Sequence, residues 1–236
     1  MEFVGVRDIT MNTRMEGIAD GVPLVFVNSL GTDYRIWDTV APAFMTTHRI
    51  MRYDKRGHGL SDCPPAPYSI RDHTDDLAAL LEARQIDQAV IVGISVGGLI
   101  AMDFAATHPQ QAKALILCDT LPKIGTADMW NNRINTLREG GMAVADTILP
   151  RWFAPAFAAK NPATYRGYYN MLVRTSVEGY IGTCAAIRDA DLTESSRMIR
   201  ADTLVICGAE DGVTPPALVQ GLTEIIPGAQ YVEIAN

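Results

Sequence analysis

What this chain has little of narrows its function first. No stretch is rich in lysine and arginine, and 20 basic against 27 acidic residues leave a net charge of −7. Nucleic acid is therefore not an expected partner. The four cysteines, Cys63, Cys118, Cys184 and Cys207, form no C-x-x-C pair and no zinc-like spacing. Nothing demands disulfides, so a reducing cytoplasm is the expected compartment. No apolar run approaches the ~20 residues of a membrane helix. No basic segment followed by an apolar core opens the chain, so no signal peptide is read there. Histidine is scarce: His48, His58, His73 and His108 are the only four, and all lie in the first half.

What is present fits one domain. A chain of 236 residues, 48% hydrophobic, can bury a sizeable core, with room for an inserted subdomain. Val22 to Val27, Arg49 to Tyr53, Ala89 to Val92, Ala114 to Leu117, Thr203 to Ile206 and Gln230 to Ile234 read as strands. Helical spacing runs over Tyr34 to Phe44, Asp72 to Ala83, Leu99 to Ala105 and Pro216 to Ile226. The first twenty residues read as antiparallel edge strands. Continuously apolar strands alternating with helices imply an α/β fold with a mostly parallel, doubly wound sheet covered on both faces. Cys118 and Cys207 end apolar runs and are expected to be buried thiols.

One segment breaks the alternation. Residues 121–197 contain no convincing buried strand but gather Trp130, Trp152, Phe153, Phe157, Tyr165, Tyr168, Tyr169, Met171 and Tyr180. This division assigns residues 1–120 and 198–236 to a core and 121–197 to a helical cap. A cap at that place in the strand order lies over the site. The alternative is a helical segment that only packs its own small core.

The strongest motif is Gly93-Ile94-Ser95-Val96-Gly97. It follows an apolar strand and opens a helix, which is the layout of a nucleophile elbow. Ser95 is thus the candidate nucleophile of an acyl transfer. A Gly-Ser turn without chemistry is the rival, while a phosphate loop lacks its lysine. The acid that orients the base is expected in Glu210-Asp211-Gly212, just past an apolar strand. Asp211 is favoured over Glu210, although an Asp-Gly turn there needs no chemistry. The oxyanion donors are expected to be the backbone N–H groups of Val96 and of Leu30, the latter in Asn28-Ser29-Leu30-Gly31. The base is the missing part. In this order it follows the acid, and all four histidines precede Asp211.

With these pieces assembled, the chain resembles the α/β-hydrolases, and more narrowly the 3-oxoadipate enol-lactonases. The resemblance rests on Asn28 to Asp33, Arg52-Tyr53-Asp54-Lys55-Arg56-Gly57-His58-Gly59, the elbow, Leu149-Pro150-Arg151-Trp152-Phe153 and Glu178-Gly179-Tyr180. Val96 departs from the family's methionine, but either residue offers its backbone N–H. The family continues past its last strand into a loop bearing the catalytic histidine and then a final helix. Both are absent here, so the catalytic histidine is expected beyond Asn236 and the sequence is expected to be a fragment of a longer protein. Loss of the helix is expected to bare apolar sheet surface.

The resemblance implies opening of 3-oxoadipate enol-lactone through a Ser95 ester, with no cofactor, no metal and no membrane partner. Such a substrate carries a carboxylate. Arg133 and Trp130 share a helix face and are the candidate binding pair, the guanidinium as a fork and the indole as one N–H donor. A surface arginine beside a core tryptophan is the plainer alternative, and Arg138 is the next candidate, flanking the pocket. Two other readings stay open: another carboxylesterase or C–C bond hydrolase of this fold, and a non-catalytic ligand receptor. The sequence does not set the oligomeric state.

Overall fold

In the computed structural model, which describes residues 1–235, eight strands form one sheet in the order β1-β2-β4-β3-β5-β6-β7-β8. The strands are β1 (Glu2–Val6), β2 (Ile9–Gly17), β3 (Val22–Val27), β4 (His48–Tyr53), β5 (Ala89–Ile94), β6 (Ala112–Cys118), β7 (Asp202–Gly208) and β8 (Gln230–Ile234). At one edge β2 pairs antiparallel with both β1 and β4, and from β4 through β3, β5, β6 and β7 to β8 every pairing is parallel. The C-terminal ends of the parallel strands therefore lie along one rim, where open α/β sheets place their ligands.

The helices follow from the apolar spacing. Helix α1 (Ile70–Ala83) starts at a Ser69–Asp72 capping box, and its Leu77, Leu80 and Leu81 are fully buried. Such a cap contributes about 1 kcal/mol. Helix α2 (Val96–Thr107) starts at Ser95 and is buried along most of its length. Only helical elements lie between β6 and β7: α3 (Ala127–Gly140), α4 (Ala145–Ile148), α5 (Phe157–Lys160), α6 (Pro162–Val173), α7 (Val177–Asp189) and α8 (Thr193–Ser196), with short 3-10 turns. Two more, α9 (Pro216–Gln220) and α10 (Leu222–Ile225), precede β8.

Two helices expected from spacing are broken. The stretch from Tyr34 to Phe44 forms two separate 3-10 turns, Tyr34–Trp37 and Ala41–Phe44. Pro42 lacks an N–H and its ring opposes a continuous helix through that point. The stretch from Pro216 to Ile226 divides at Gly221, the weakest helix former in it apart from proline.

The two sheet faces differ. On one, Val27, Leu117 and Val205 are completely buried against the main core, which includes Leu77, Leu99 and Ile100. On the other, Phe26 and Val92 pack with Trp37 and Ala41. That cover stops near β5. Ile116 and Leu204, in register with Val92, are half-buried, and Val232 and Ile234 on β8 are 48% and 58% exposed. Apolar surface is exposed there. Cys118 lies on this face and is half-buried rather than enclosed, whereas Cys207 is fully buried. Among the described residues no helix is long and apolar enough to cross a membrane.

Candidate active site

Ser95 occupies the turn between β5 and α2 with φ 55° and ψ −119°. An L-residue rarely adopts that conformation. The surroundings hold it. The Ser95 N–H donates to Cys118 O at 3.0 Å, and Ser95 O accepts from Gly98 N at 2.8 Å and from the Thr120 hydroxyl at 2.7 Å. A Cβ at Gly93 would run into the Gly97 carbonyl, and one at Gly97 into Val27 O. The two glycines of the motif are thus required by close backbone approach. The result is a hydroxyl at the N-terminal end of α2, where the helix dipole favours developing negative charge.

The loop after β3, residues 28–31, is tied from several sides. Asn28 Nδ2 donates to Tyr53 O at 3.1 Å and Trp37 Nε1 to Asn28 Oδ1 at 3.3 Å. Lys55 Nζ donates to Ser29 O at 2.6 Å, and the Thr175 hydroxyl to Gly31 O at 3.3 Å. Burial draws Lys55 down to about 7, against the opposing pull of Asp54 and Asp33. The Gly31 N–H donates to His58 Nε2 at 3.0 Å. Among the described residues, the N–H groups of Leu30 and Val96 meet no intramolecular acceptor. They are the two donors expected for an oxyanion.

The turn that carries Lys55 and His58 is itself rigid. Asp54 Oδ1 accepts from Tyr34 N at 2.8 Å, and its Oδ2 from Leu60 N at 2.9 Å and Asn12 Nδ2 at 2.8 Å. Buried Arg56 forks onto buried Asp76 at 2.5 and 2.6 Å. Both charges are fully paired, so they fix the turn instead of leaving an uncompensated ion inside.

Asp211 stands just past β7. Its Oδ1 accepts from Val213 N at 2.6 Å and Thr214 N at 3.0 Å, and its Oδ2 from the Thr214 hydroxyl at 2.6 Å. Asp119, which follows β6, belongs to none of the sequence motifs. Its φ is 45°, its carboxylate accepts from Gly208 N at 2.9 Å, and it faces Asp211. Burial and the neighbouring Asp211 raise its pKa, opposed by the Gly208 hydrogen bond. The visible signal was an acidic residue directly after an apolar strand end, the same signal that marked Asp211. Asp119, Cys207 and Asp211 place ligand-type atoms within 4.8 Å of one another. Backbone and hydroxyl donors already engage the carboxylates, and burial pushes the Cys207 thiol up to about 12. The thiol itself is directed at the Gly208 and Thr214 carbonyls at 3.5 and 3.4 Å, so hydrogen bonds tie these groups to their own loops.

None of the four histidines is hydrogen-bonded to Ser95 or Asp211 among the described residues. His48 begins β4, at the rim opposite Ser95, and His108 ends α2, stacked on Phe104. His73 is a buried residue of α1 with both ring nitrogens unpartnered. His58 accepts at Nε2, so its proton lies on Nδ1, directed at Arg56 O at 3.2 Å. Both of its nitrogens are engaged.

Arg133 and Trp130 project from α3 and are half-buried. The Arg133 guanidinium faces the Tyr180 hydroxyl and Cys184 on α7. Tyr180 packs in turn on the loop after β3: a Cβ at Gly31 would come within 2.8 Å of its ring. Trp130 departs from the expected role of a free indole donor. Its indole N–H donates to Ile124 O at 2.6 Å, so it is not free to grip a carboxylate, and only the ring is left to face a ligand.

Residues 22–236 match the family described as the alpha/beta hydrolase fold. The chain is 38% identical over 221 residues to 3-oxoadipate enol-lactonase 2 of Acinetobacter baylyi, covering 93% of this chain and 83% of that protein. The crystal structure of the enol-lactonase from Burkholderia xenovorans LB400 superposes with a TM-score of 0.97 at 35% identity, over 99% of this chain and 91% of that one. A hydrolase from Pseudomonas aeruginosa PA01 gives 0.95 at 33% identity, over 99% and 89%. The serine elbow, the tied loop after β3 and the parallel sheet thus agree with these likenesses, and the chain belongs to the alpha/beta hydrolase family.

Proposed function

We propose that this chain is a serine hydrolase that opens 3-oxoadipate enol-lactone, and that the inserted helices cap its site. The observation that carries the reading is a spatial sequence. The Leu30 and Val96 N–H groups stand without acceptors, the Leu30–Gly31 loop packs on Tyr180, and Tyr180 faces Arg133. An oxyanion donor and a carboxylate-gripping cation are thus separated by one tyrosine ring. That suits a small lactone with a carboxylate side arm.

In this mechanism Ser95 Oγ attacks the lactone carbonyl carbon and its proton passes to an imidazole. Asp211 orients that imidazole and balances its charge. The Leu30 and Val96 N–H groups hold the tetrahedral oxyanion. The ring C–O bond breaks, the enol oxygen takes the proton, and a Ser95 ester remains. Water, deprotonated by the same imidazole, hydrolyses the ester, and the enol tautomerises to the ketone of 3-oxoadipate. No step needs a cofactor. The reading requires an imidazole at Ser95. The end of β8 lies beside the Asp211 loop, Ala209 N donating to Ile234 O at 3.0 Å.

The natural protein, with its intact mass measured first, tests the proposal against 3-oxoadipate enol-lactone and simple aryl esters. Saturable opening of the lactone, lost in Ser95→Ala, is expected. Hydrolysis of the esters with no action on the lactone would move the substrate class elsewhere.

A further inference from the structure

A cavity of about 560 Å³ lies against α3 and α7, and its lining includes neither Ser95 nor Leu30. The two helices divide their faces. Arg133 and Tyr180 turn inward, while Ile134 and Arg138 of α3 and Ile181 and Arg188 of α7 line the groove. Pro67, from the loop before α1, closes one end. The groove therefore crosses a seam between the sheet domain and the inserted helices. Glu178 already ties that seam by accepting from Ala66 N at 2.8 Å.

Its chemistry is two-sided. Ile134 and Ile181 are buried and form an apolar floor. Arg188 is taken up by Asp189, through two contacts of 2.7 Å, and by Asn131 at 3.0 Å. Arg138 has no ion-pair partner among the described residues. One uncompensated guanidinium over an apolar floor matches a ligand with one anionic, planar end and an apolar body. The Glu178 carboxylate in the same wall disfavours a dianion.

We infer that this outer groove is a second binding site, for a small monocarboxylate with an apolar body, gripped by Arg138. It is separate from the Ser95 site and does not depend on the lactonase reading. A ligand there bears on the same helix pair that carries Arg133 and Tyr180, from the opposite side.

Benzoate is a suitable probe, followed by methyl and amide NMR of the natural protein. Binding at about millimolar strength is expected for a ligand of this size, with shifts at Ile134, Ile181 and Ala185. Arg138→Gln, at an exposed position, should weaken it about tenfold, the worth of one charge-assisted hydrogen bond. Arg133→Gln should leave it unchanged. Absence of binding would overturn the inference. So would shifts confined to Leu30 and Tyr180, or sensitivity to Arg133→Gln and not to Arg138→Gln. Equal shifts with inorganic phosphate would overturn the ligand class.

Discussion

The Gly31 N–H donates to His58 Nε2 at 3.0 Å, both groups being buried. The imidazole thereby sets which way the loop after β3 faces. It takes one N–H of the loop, and the preceding N–H, of Leu30, is left pointing elsewhere without an acceptor. His58→Ala strands the Gly31 donor in the interior, at an expected cost of about 1 to 3 kcal/mol in unfolding free energy. If the loop forms the oxyanion hole, kcat falls while KM changes little, because the donor acts on the transition state. Denaturant titration together with steady-state kinetics reads both, and an unchanged kcat in a folded variant would confine His58 to a structural role.

His58 and His73 give the fold a defined response to acid. Burial pulls His73 down to about 3, and burial together with Lys55 holds His58 well below its ordinary value. The unfolded chain binds protons on these rings near pH 6.5 and the folded chain does not. Stability from this source is therefore complete above about pH 6.5 and is lost as pH falls below it, for His73 down to about 3. Each ring contributes a slope of up to about 1.4 kcal/mol per pH unit. His73→Leu should remove one such slope from the acid limb of a stability-against-pH curve. A variant curve parallel to that of the parent would contradict this assignment.

Ser95 holds φ 55° and ψ −119°, and Ser95→Gly relieves that strain. The variant should be about 1 kcal/mol more stable while losing hydrolysis by about 10,000-fold or more. A fluorophosphonate should label the parent at Ser95 and fail to label the variant. Absence of labelling in the parent would favour a ligand receptor on this scaffold over an enzyme.

Arg133→Ala should raise KM for a carboxylate-bearing lactone by about ten- to a hundredfold, the loss of one charge-assisted contact. For an uncharged ester it should do little. Equal effects on the two substrates would mean that the guanidinium supports the Tyr180 packing and does not read the carboxylate.

The site was legible where it depends on local pattern. Strand, G-x-S-x-G and helix are adjacent in sequence, so the pattern is read from neighbouring residues, although Val27, Cys118 and Thr120 hold the turn in its final geometry. The same holds for β3 to β8, whose apolar runs announced the parallel sheet. Helix continuity was less legible, because Pro42 and Gly221 sit inside otherwise acceptable apolar spacing. Cys118 read as buried because its strand is apolar, but burial depends on what lies over the face.

The sequence by itself determined the α/β class, the serine elbow, the acid after β7 and the scarcity of histidine, since each is written in spacing along the chain. The tertiary structure decided the rest. His58 became a prop for the loop after β3 through a contact 27 residues away in sequence. Asp119 came to face Asp211, and Ile124 claimed the Trp130 indole N–H. Tyr180 was set between Gly31 and Arg133. Hydrogen bonds and packing of this kind join groups distant along the chain, and only the folded backbone brings their donors, acceptors and surfaces within reach.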